Sequence, residues 1–314
     1  MSDLTSVLTQ ILGSKVATEA LGAERLAQDY QVQWSLDFGL NPDHRTLGVR
    51  RASMYSFYPY LFRSLFPSVS QETVAQLALC ARFYASSLFL ADKFMDRDLT
   101  PDTELILVHN HWVEFSVRML SRIFHERPAF WEYFEVYKAE YTSALTHERL
   151  QSRGRLGQYD PQVARLIHLG KSAMAKFVPA GLAVLADRED LISPLACSHD
   201  HLHIANQIFD DLRDWKADYE RGCYSPIIQR IIAEAGLTCQ EDTVNRPSSA
   251  VLSVALHRSG LSVAVLEEAL QELNLAQAAV DHLPAEAWKG YIALLSERIR
   301  KLKDDLADLS SRLG

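Results

Sequence analysis

The sequence predicts an all-α protein, and three observations support this fold class. Apolar residues recur at three- and four-residue intervals along nearly the whole chain, which is the spacing of one face of an α-helix. No run that alternates apolar and polar residues is long enough to build a sheet. Only short breaks separate the helical patterns, with neither a Gly/Ser linker nor a repeat, so we expect a single domain over residues 1–314.

The strongly patterned helices follow one another from residue 69 onward. The first is VSQETVAQLALCARFYASSLFLADKFMDRD, with Ser70 as its expected N-cap. The second is LTPDTELILVHNHWVEFSVRMLSRIFHER, with Pro101 close to its start. Further helices are expected at about 128–151, 160–187, 192–220, 224–235, 247–257, 260–282 and 285–312. Several are apolar around much of their circumference, which predicts a multi-layered helical bundle.

Composition and charge exclude several classes of protein. The net charge is −8 with acidic and basic residues interspersed, whereas a nucleic-acid binder needs a basic face. The four cysteines form no CxxC pair, which argues against structural zinc and for reduced thiols in a cytoplasmic protein. We expect no secretory signal and no transmembrane segment, because no basic stretch precedes an apolar one at the N-terminus and no uncharged apolar run approaches the length of a membrane span.

Two clusters of aspartates directly follow apolar stretches. The first is ADKFMDRD, and the second, 118 residues later, is DDLRDWKAD. Like charges four residues apart weaken a helix by a few tenths of a kcal/mol each, so something should offset this cost. A single such pattern is usually a solvated helix end, but two of them, each closing an apolar helix, favour a functional site.

The spacing of these carboxylates predicts a Mg²⁺ site. Side chains at i and i+4 project from the same helix face, and Mg²⁺ is usually bound by one or two carboxylates together with substrate phosphates. We therefore expect a row from each helix to bind Mg²⁺ against a diphosphate. The ions would also overcome the repulsion between an acidic protein and an anionic substrate. The predicted metal ligands are Asp92, Asp96, Asp210, Asp214 and Asp218.

The second motif resembles those of a known superfamily. QIFDDLRD resembles the FQ-I-x-DD-x-x-D stretch of farnesyl and geranylgeranyl diphosphate synthases, and its continuation to Pro226 resembles the RD-x-x-ED-x-x-x-G…Y-x-P stretch of phytoene synthases. Asp210, Asp214 and Asp218 also have the spacing at which terpene cyclases place their metal ligands. The chain thus resembles the class I isoprenoid synthases from about Arg51 to the last helix. This resemblance implies a helical bundle around a central cavity, Mg²⁺ as cofactor, a prenyl diphosphate substrate and a homodimer.

Departures from the family patterns bear on which reaction is expected. The first motif, DKFMD, has Lys93 where many prenyl synthases have a second Asp. The segment GVRRASMYSFYP lacks the later Arg-Pro of the GGKRxRP segment that binds isopentenyl diphosphate, and no Arg pair follows the first motif. These departures favour a terpene synthase (cyclase) that ionises one prenyl diphosphate, such as farnesyl or geranylgeranyl diphosphate. The alternatives are a prenyltransferase that couples such a substrate to isopentenyl diphosphate or another acceptor, and a diverged, non-catalytic isoprenoid-binding subunit.

Cations and aromatic rings complete the expected site. A departing diphosphate needs positive charge around it, and the candidates are Arg51, Arg165, Lys171 and Arg213. Each has the alternative role of a surface cation with a buried stem. Phe89 and Phe209 are candidates for the wall around the prenyl chain, because aromatic faces stabilise cations; core packing is the alternative. His199, His201 and His203 alternate, but residues i and i+2 do not share a helix face, which argues against a histidine metal site.

Overall fold

The computed structural model describes residues 2–37, 49–96, 103–152, 160–237 and 247–313. These residues form thirteen α-helices and no strand, which confirms the all-α prediction. The α-helices are α1 (Ser2–Leu12), α2 (Ser14–Asp37), α3 (Val49–Leu61), α4 (Gln71–Asp96), α5 (Thr103–Ile123), α6 (Pro128–Ser152), α7 (Pro161–Lys171), α8 (Phe177–Leu185), α9 (Ile192–Arg221), α10 (Pro226–Glu234), α11 (Ser249–Arg258), α12 (Leu261–Val280) and α13 (Glu286–Leu313). Short 3₁₀ helices cover Arg63–Leu65, Ala173–Lys176 and Glu189–Leu191.

The chain divides into two compact units, each assembled from separated stretches. The first unit contains Met1–Tyr133, Phe177–Ile192 and Leu283–Tyr291. The second contains Phe134–Lys176, Ser193–His282 and Ile292–Gly314. A single domain over residues 1–314, with a central cavity, stays a prediction.

Aromatic side chains of α4 and α5 form much of the core of the first unit. Phe83 of α4 stacks on Trp112 of α5 with ring centroids 4.6 Å apart, and both side chains are buried. Leu90, Leu105 and Val108 extend this cluster. Since aromatic residues bury large apolar areas, this contact fixes α4, which carries the first aspartate motif, against α5.

A buried ion pair also connects helices of the first unit. Arg82 of α4 donates from Nε to Oε2 of Glu24 on α2 at 3.1 Å, and the two side chains are 1% and 7% exposed. Ser56 of α3 donates to the same carboxylate. Arg82 Nη1 donates to Ser86 Oγ at 2.7 Å. Three helices therefore meet at one buried charge pair.

Close backbone approach and buried hydrogen bonds organise the second unit. A Cβ added to Gly170 of α7 would lie 2.4 Å from the Cβ of Ala144 on α6, so only glycine fits at this crossing. Ser198 of α9 donates from Oγ to the carbonyl oxygen of Ala276 on α12 at 2.6 Å. The helix that carries the second motif is thereby held against α12.

The structure differs from the sequence-based helix assignment at two places. Three helices, α1 to α3, precede residue 69 and were not predicted. Helix α2 was missed because its buried face carries small or polar residues in place of an apolar stripe. The expected helix at 160–187 is divided into α7, a 3₁₀ helix and α8. Pro179 explains the division, because an α-helix running through it would lose a hydrogen bond and bring its ring against the carbonyl of Ala175. It lies instead in the first turn of α8.

Among the described residues, α4 is long and apolar enough to cross a membrane, over Gln71–Met95 with a mean hydropathy of 1.4. Helices α11 and α12 meet the same criterion only when taken together, and they are bent by 66° at their junction. Of the apolar stretch in α4, 67% is buried among other residues, and core helices of water-soluble proteins have such compositions as well. The expected absence of a transmembrane segment stays a prediction.

Candidate active site

The second aspartate motif lies in the last three turns of α9. The helix stops after Arg221 because Gly222 adopts a left-handed conformation with φ of 78°, which glycine reaches without strain. The amide of Cys223 then donates to the carbonyl oxygen of Asp218 at 2.9 Å, closing the helix end. Helix α9 therefore ends one turn beyond Asp218, close to the end of the helix predicted at 192–220.

The carboxylates flank the buried face of α9, which is formed by Leu212, Trp215 and Tyr219. Asp210 and Asp214 are 47% and 45% exposed. Exposure falls to 22% at Asp218 and 19% at Asp211. The predicted row of Asp210, Asp214 and Asp218 thus runs from an open to a half-buried position. Asp211, which lies outside this row, has the most buried side chain of the four.

Burial and neighbouring charge act together on Asp218. Burial raises the pKa of its carboxyl group, and the charges of Asp211 and Asp214 raise it further. Arg221 opposes both effects through a hydrogen bond from Nη2 to Asp218 Oδ1 at 2.6 Å. The like charges of three motif carboxylates are therefore close enough to interact, which is the electrostatic condition for attracting a cation.

Arg213 bridges the two more exposed carboxylates of the row. Its Nη1 lies 3.0 Å from Asp210 Oδ1. Its Nε and Nη2 donate to the two oxygens of Asp214 at 3.0 and 2.9 Å. The hydrogen bond to Asp214 is the main cause of a raised pKa for the guanidinium. The residue predicted to bind substrate is thus bound to two predicted metal ligands.

A histidine that was not predicted from the sequence also contacts the motif. His168 Nε2 of α7 lies 3.5 Å from Asp211 Oδ2, with side chains 12% and 19% exposed. The sequence signal that could have identified His168 is its position on α7 one turn after Arg165, a candidate cation of the site, because residues three apart share a helix face.

The other predicted cations of the second unit pair with glutamates. Arg165 Nη1 lies 2.5 Å from Oε1 of Glu272 on α12, and His201 Nδ1 lies 2.6 Å from Oε2 of the same carboxylate. Burial acts to raise the pKa of Glu272, but its hydrogen bonds to Arg165 and His201 outweigh this and lower it. Lys171 Nζ lies 2.8 Å from Glu148 Oε1.

A buried lysine contacts α9 close to its His199–His203 pair. Lys176 is 4% exposed and lies 2.6 Å from Glu140 Oε2 and 2.9 Å from Asp200 Oδ1. Burial raises the pKa of Asp200, against the effect of Lys176. Burial also lowers the pKa of His203 to about 3, so this ring is neutral beside the lysine.

Within the described ranges, no three or more His, Cys, Asp or Glu side chains are grouped to hold a metal ion by themselves. The chemistry of the α9 donors, all hard carboxylate oxygens, fits Mg²⁺, which takes its remaining ligands from water and substrate phosphates. The histidines of α9 are engaged elsewhere: His199 Nε2 lies 3.1 Å from the carbonyl oxygen of Ser172, and its ring packs on His203 at 4.1 Å.

The first motif lies in the first unit, and the second motif in the second. Asp92 and Lys93 are half-buried in the last turns of α4. Asp96 is the last residue of α4, but its side chain, like that of Arg51 in α3, lies outside the described part of the structure. That the two motifs face each other across a cavity stays a prediction.

The two predicted aromatic wall residues have different surroundings. Phe89 is half-buried, with its ring centroid 6.0 Å from that of Tyr55. Phe209 is 6% exposed, and the guanidinium carbon of Arg298 lies 5.4 Å from its ring centroid. Phe209, next to Asp210, already faces a cation within the protein.

Comparison with known proteins identifies the fold. No family model and no curated protein sequence matches the chain. A polyprenyl synthase from Roseobacter denitrificans superposes with a TM-score of 0.68 and 15% identity, over 95% of this chain and 99% of that one. A geranylgeranyl pyrophosphate synthetase from the archaeon Geoglobus acetivorans superposes with a TM-score of 0.58 and 14% identity, over 95% and 98%. The chain therefore has the all-α fold of the class I isoprenoid synthases, as the resemblance of its motifs implied.

Proposed function

We propose that this protein is a Mg²⁺-dependent enzyme that ionises a prenyl diphosphate. The observation that carries the proposal is the row of carboxylates on α9, placed beside a buried face in a class I isoprenoid synthase fold. Carboxylates in such a row are the ligands that Mg²⁺ takes from proteins, together with substrate phosphates.

The residues of α9 have separable roles in this proposal. Asp210, Asp214 and Asp218 would hold Mg²⁺, together with Asp92 and Asp96 of the first motif. Bound Mg²⁺ would neutralise the charge that develops on the leaving diphosphate. Half-burial of Asp218 strengthens its interaction with a cation, because the lower dielectric screens charges less. Phe209, buried and next to Asp210, would contribute an apolar surface beside the substrate.

A terpene synthase acting on one substrate is our first candidate. It follows from the departures in the sequence: the incomplete basic segment around Arg51 and the absence of an Arg pair after the first motif. The second candidate is a prenyltransferase, which the names of the two similar structures favour, since both are synthases of prenyl diphosphates.

Product identification separates the two candidates. The protein is incubated with Mg²⁺ and farnesyl or geranylgeranyl diphosphate, with and without isopentenyl diphosphate, and products are analysed by gas chromatography and mass spectrometry. A hydrocarbon or alcohol from the single substrate supports the terpene synthase. Longer diphosphates that form only with isopentenyl diphosphate support the prenyltransferase, and no consumption of any substrate supports the non-catalytic alternative.

A cytoplasmic location and a homodimer belong to the same proposal. Light scattering of the purified protein tests the homodimer. A measured mass of one chain, 35.5 kDa, would contradict the homodimer.

A further inference from the structure

The charges of the aspartate row are compensated by cations from its own helix. Arg213 makes three contacts of 2.9–3.0 Å with Asp210 and Asp214, and Arg221 lies 2.6 Å from Asp218. The repulsion between the carboxylates is therefore offset by these two arginines.

The contacts of Arg213 use oxygen atoms that a metal ion would need. Its guanidinium binds both oxygens of Asp214 and one of Asp210, so it lies between the two side chains at the open end of the row. Asp210 and Asp214 would have to release these contacts before their oxygens could serve as Mg²⁺ ligands. At 47% exposure the arginine has solvent beside it, and ion pairs with such exposure are weak enough to exchange.

We propose that Arg213 is bound to carboxylate oxygens of Asp210 and Asp214 that would serve as Mg²⁺ ligands, and that its guanidinium would move to the diphosphate when Mg²⁺ and diphosphate bind. The inference rests on the proposed function. The planar fork of arginine binds phosphate oxygens as well as it binds carboxylate oxygens, so one side chain serves both states.

This exchange couples the two ligands. Metal alone must displace Arg213 and leave it without a partner, whereas metal with diphosphate supplies the new partner. Binding of either ligand therefore favours the other, by a reciprocal factor. Removing the guanidinium should strengthen binding of metal alone by about fivefold, the size expected for exposed ion pairs. The same change should weaken binding of diphosphate to the metal-loaded protein by about tenfold.

Calorimetric titration of the purified protein tests the exchange with two probes, Mg²⁺ alone and inorganic diphosphate at saturating Mg²⁺. The test variant is Arg213→Gln. The matched control is Arg230→Gln, because Arg230 makes a comparable exposed double contact, at 2.8 Å, with Glu268 away from the row. We expect opposite changes in the two affinities for Arg213→Gln and wild-type values for the control.

The outcomes separate the inference from the proposed function. Unchanged Mg²⁺ affinity in Arg213→Gln, or a change of both affinities in the same direction, would overturn the inference while metal-dependent diphosphate binding still supports the function. Absence of metal-dependent diphosphate binding in the wild type would overturn both.

Discussion

Replacing Glu24 by Gln should destabilise the protein strongly, because it removes the charge that balances buried Arg82. The pair joins α2 to α4 at 3.1 Å, and the arginine is only 1% exposed. Burial lowers the pKa of Arg82, and the neighbouring carboxylate opposes this shift. The glutamate thus keeps a charged guanidinium inside the first unit.

The magnitude follows from what remains after the substitution. Breaking a buried pair by removing one partner costs about 3–5 kcal/mol, since the other charge is left uncompensated. Gln keeps an oxygen that accepts hydrogen bonds from Arg82 and Ser56, so we expect the low end, about 3 kcal/mol. The measurement is urea unfolding followed by circular dichroism.

Two controls make the test specific. Glu24→Leu combined with Arg82→Met removes both charges and should be more stable than Glu24→Gln alone, because no buried charge is left over. Arg230→Gln breaks an exposed pair and should cost no more than about 1 kcal/mol. A loss below about 1 kcal/mol for Glu24→Gln, or a double variant less stable than the single one, would show that Arg82 does not depend on Glu24 for its charge balance.

Two further predictions concern the second unit and acid stability. Gly170→Ala places a Cβ 2.4 Å from that of Ala144 and should lower the stability measured by thermal unfolding by about 1–3 kcal/mol. The control Gly22→Ala has open space around the new Cβ and should not destabilise the protein. Equal losses of stability in the two variants would contradict the close approach of α6 and α7. His203 is neutral in the folded protein because burial lowers its pKa to about 3. In the unfolded chain it is protonated below pH ~6.5. The free energy of unfolding should therefore fall as the pH drops below about 6.5, by about 2 kcal/mol at pH 5. His203→Phe should reduce the loss of stability between pH 7 and pH 5 by this amount, measured by urea unfolding, while buried His199, whose pKa burial also lowers, keeps its own contribution. The control His125→Phe, at an exposed position, should keep the full loss, and an equal acid loss in both variants would contradict the assignment.

The sequence predicted the elements whose signals are local. Helix α9 was expected at 192–220 and spans Ile192–Arg221, because Gly222 and Pro226 mark its end and its apolar face is continuous. Helix α2 was missed because it buries Glu24, Gln31 and several alanines, and such a face has no apolar periodicity to detect.

The partners of the site residues were less predictable. Spacing places Asp210, Asp214 and Asp218 on one side of α9, but the burial that makes Asp211 and Asp218 the least exposed depends on the helices packed around them. Arg165 was expected near the diphosphate as a candidate cation, yet it pairs with Glu272. One turn further along α7, His168 contacts Asp211. Contacts between helices distant in sequence decide which cation reaches the motif.

The most direct test of the central claim, that the α9 carboxylates bind Mg²⁺ for ionisation of a prenyl diphosphate, is the rate of diphosphate release as a function of Mg²⁺ concentration. The variant is Asp210→Asn, and the control is Glu220→Gln, whose exposed carboxylate contacts Ser249 at 3.0 Å away from the row. Diphosphate release should require Mg²⁺, fall at least about 100-fold in Asp210→Asn and stay unchanged in the control. Release that persists in a metal chelator, or an Asp210→Asn variant with the wild-type rate, would contradict this claim.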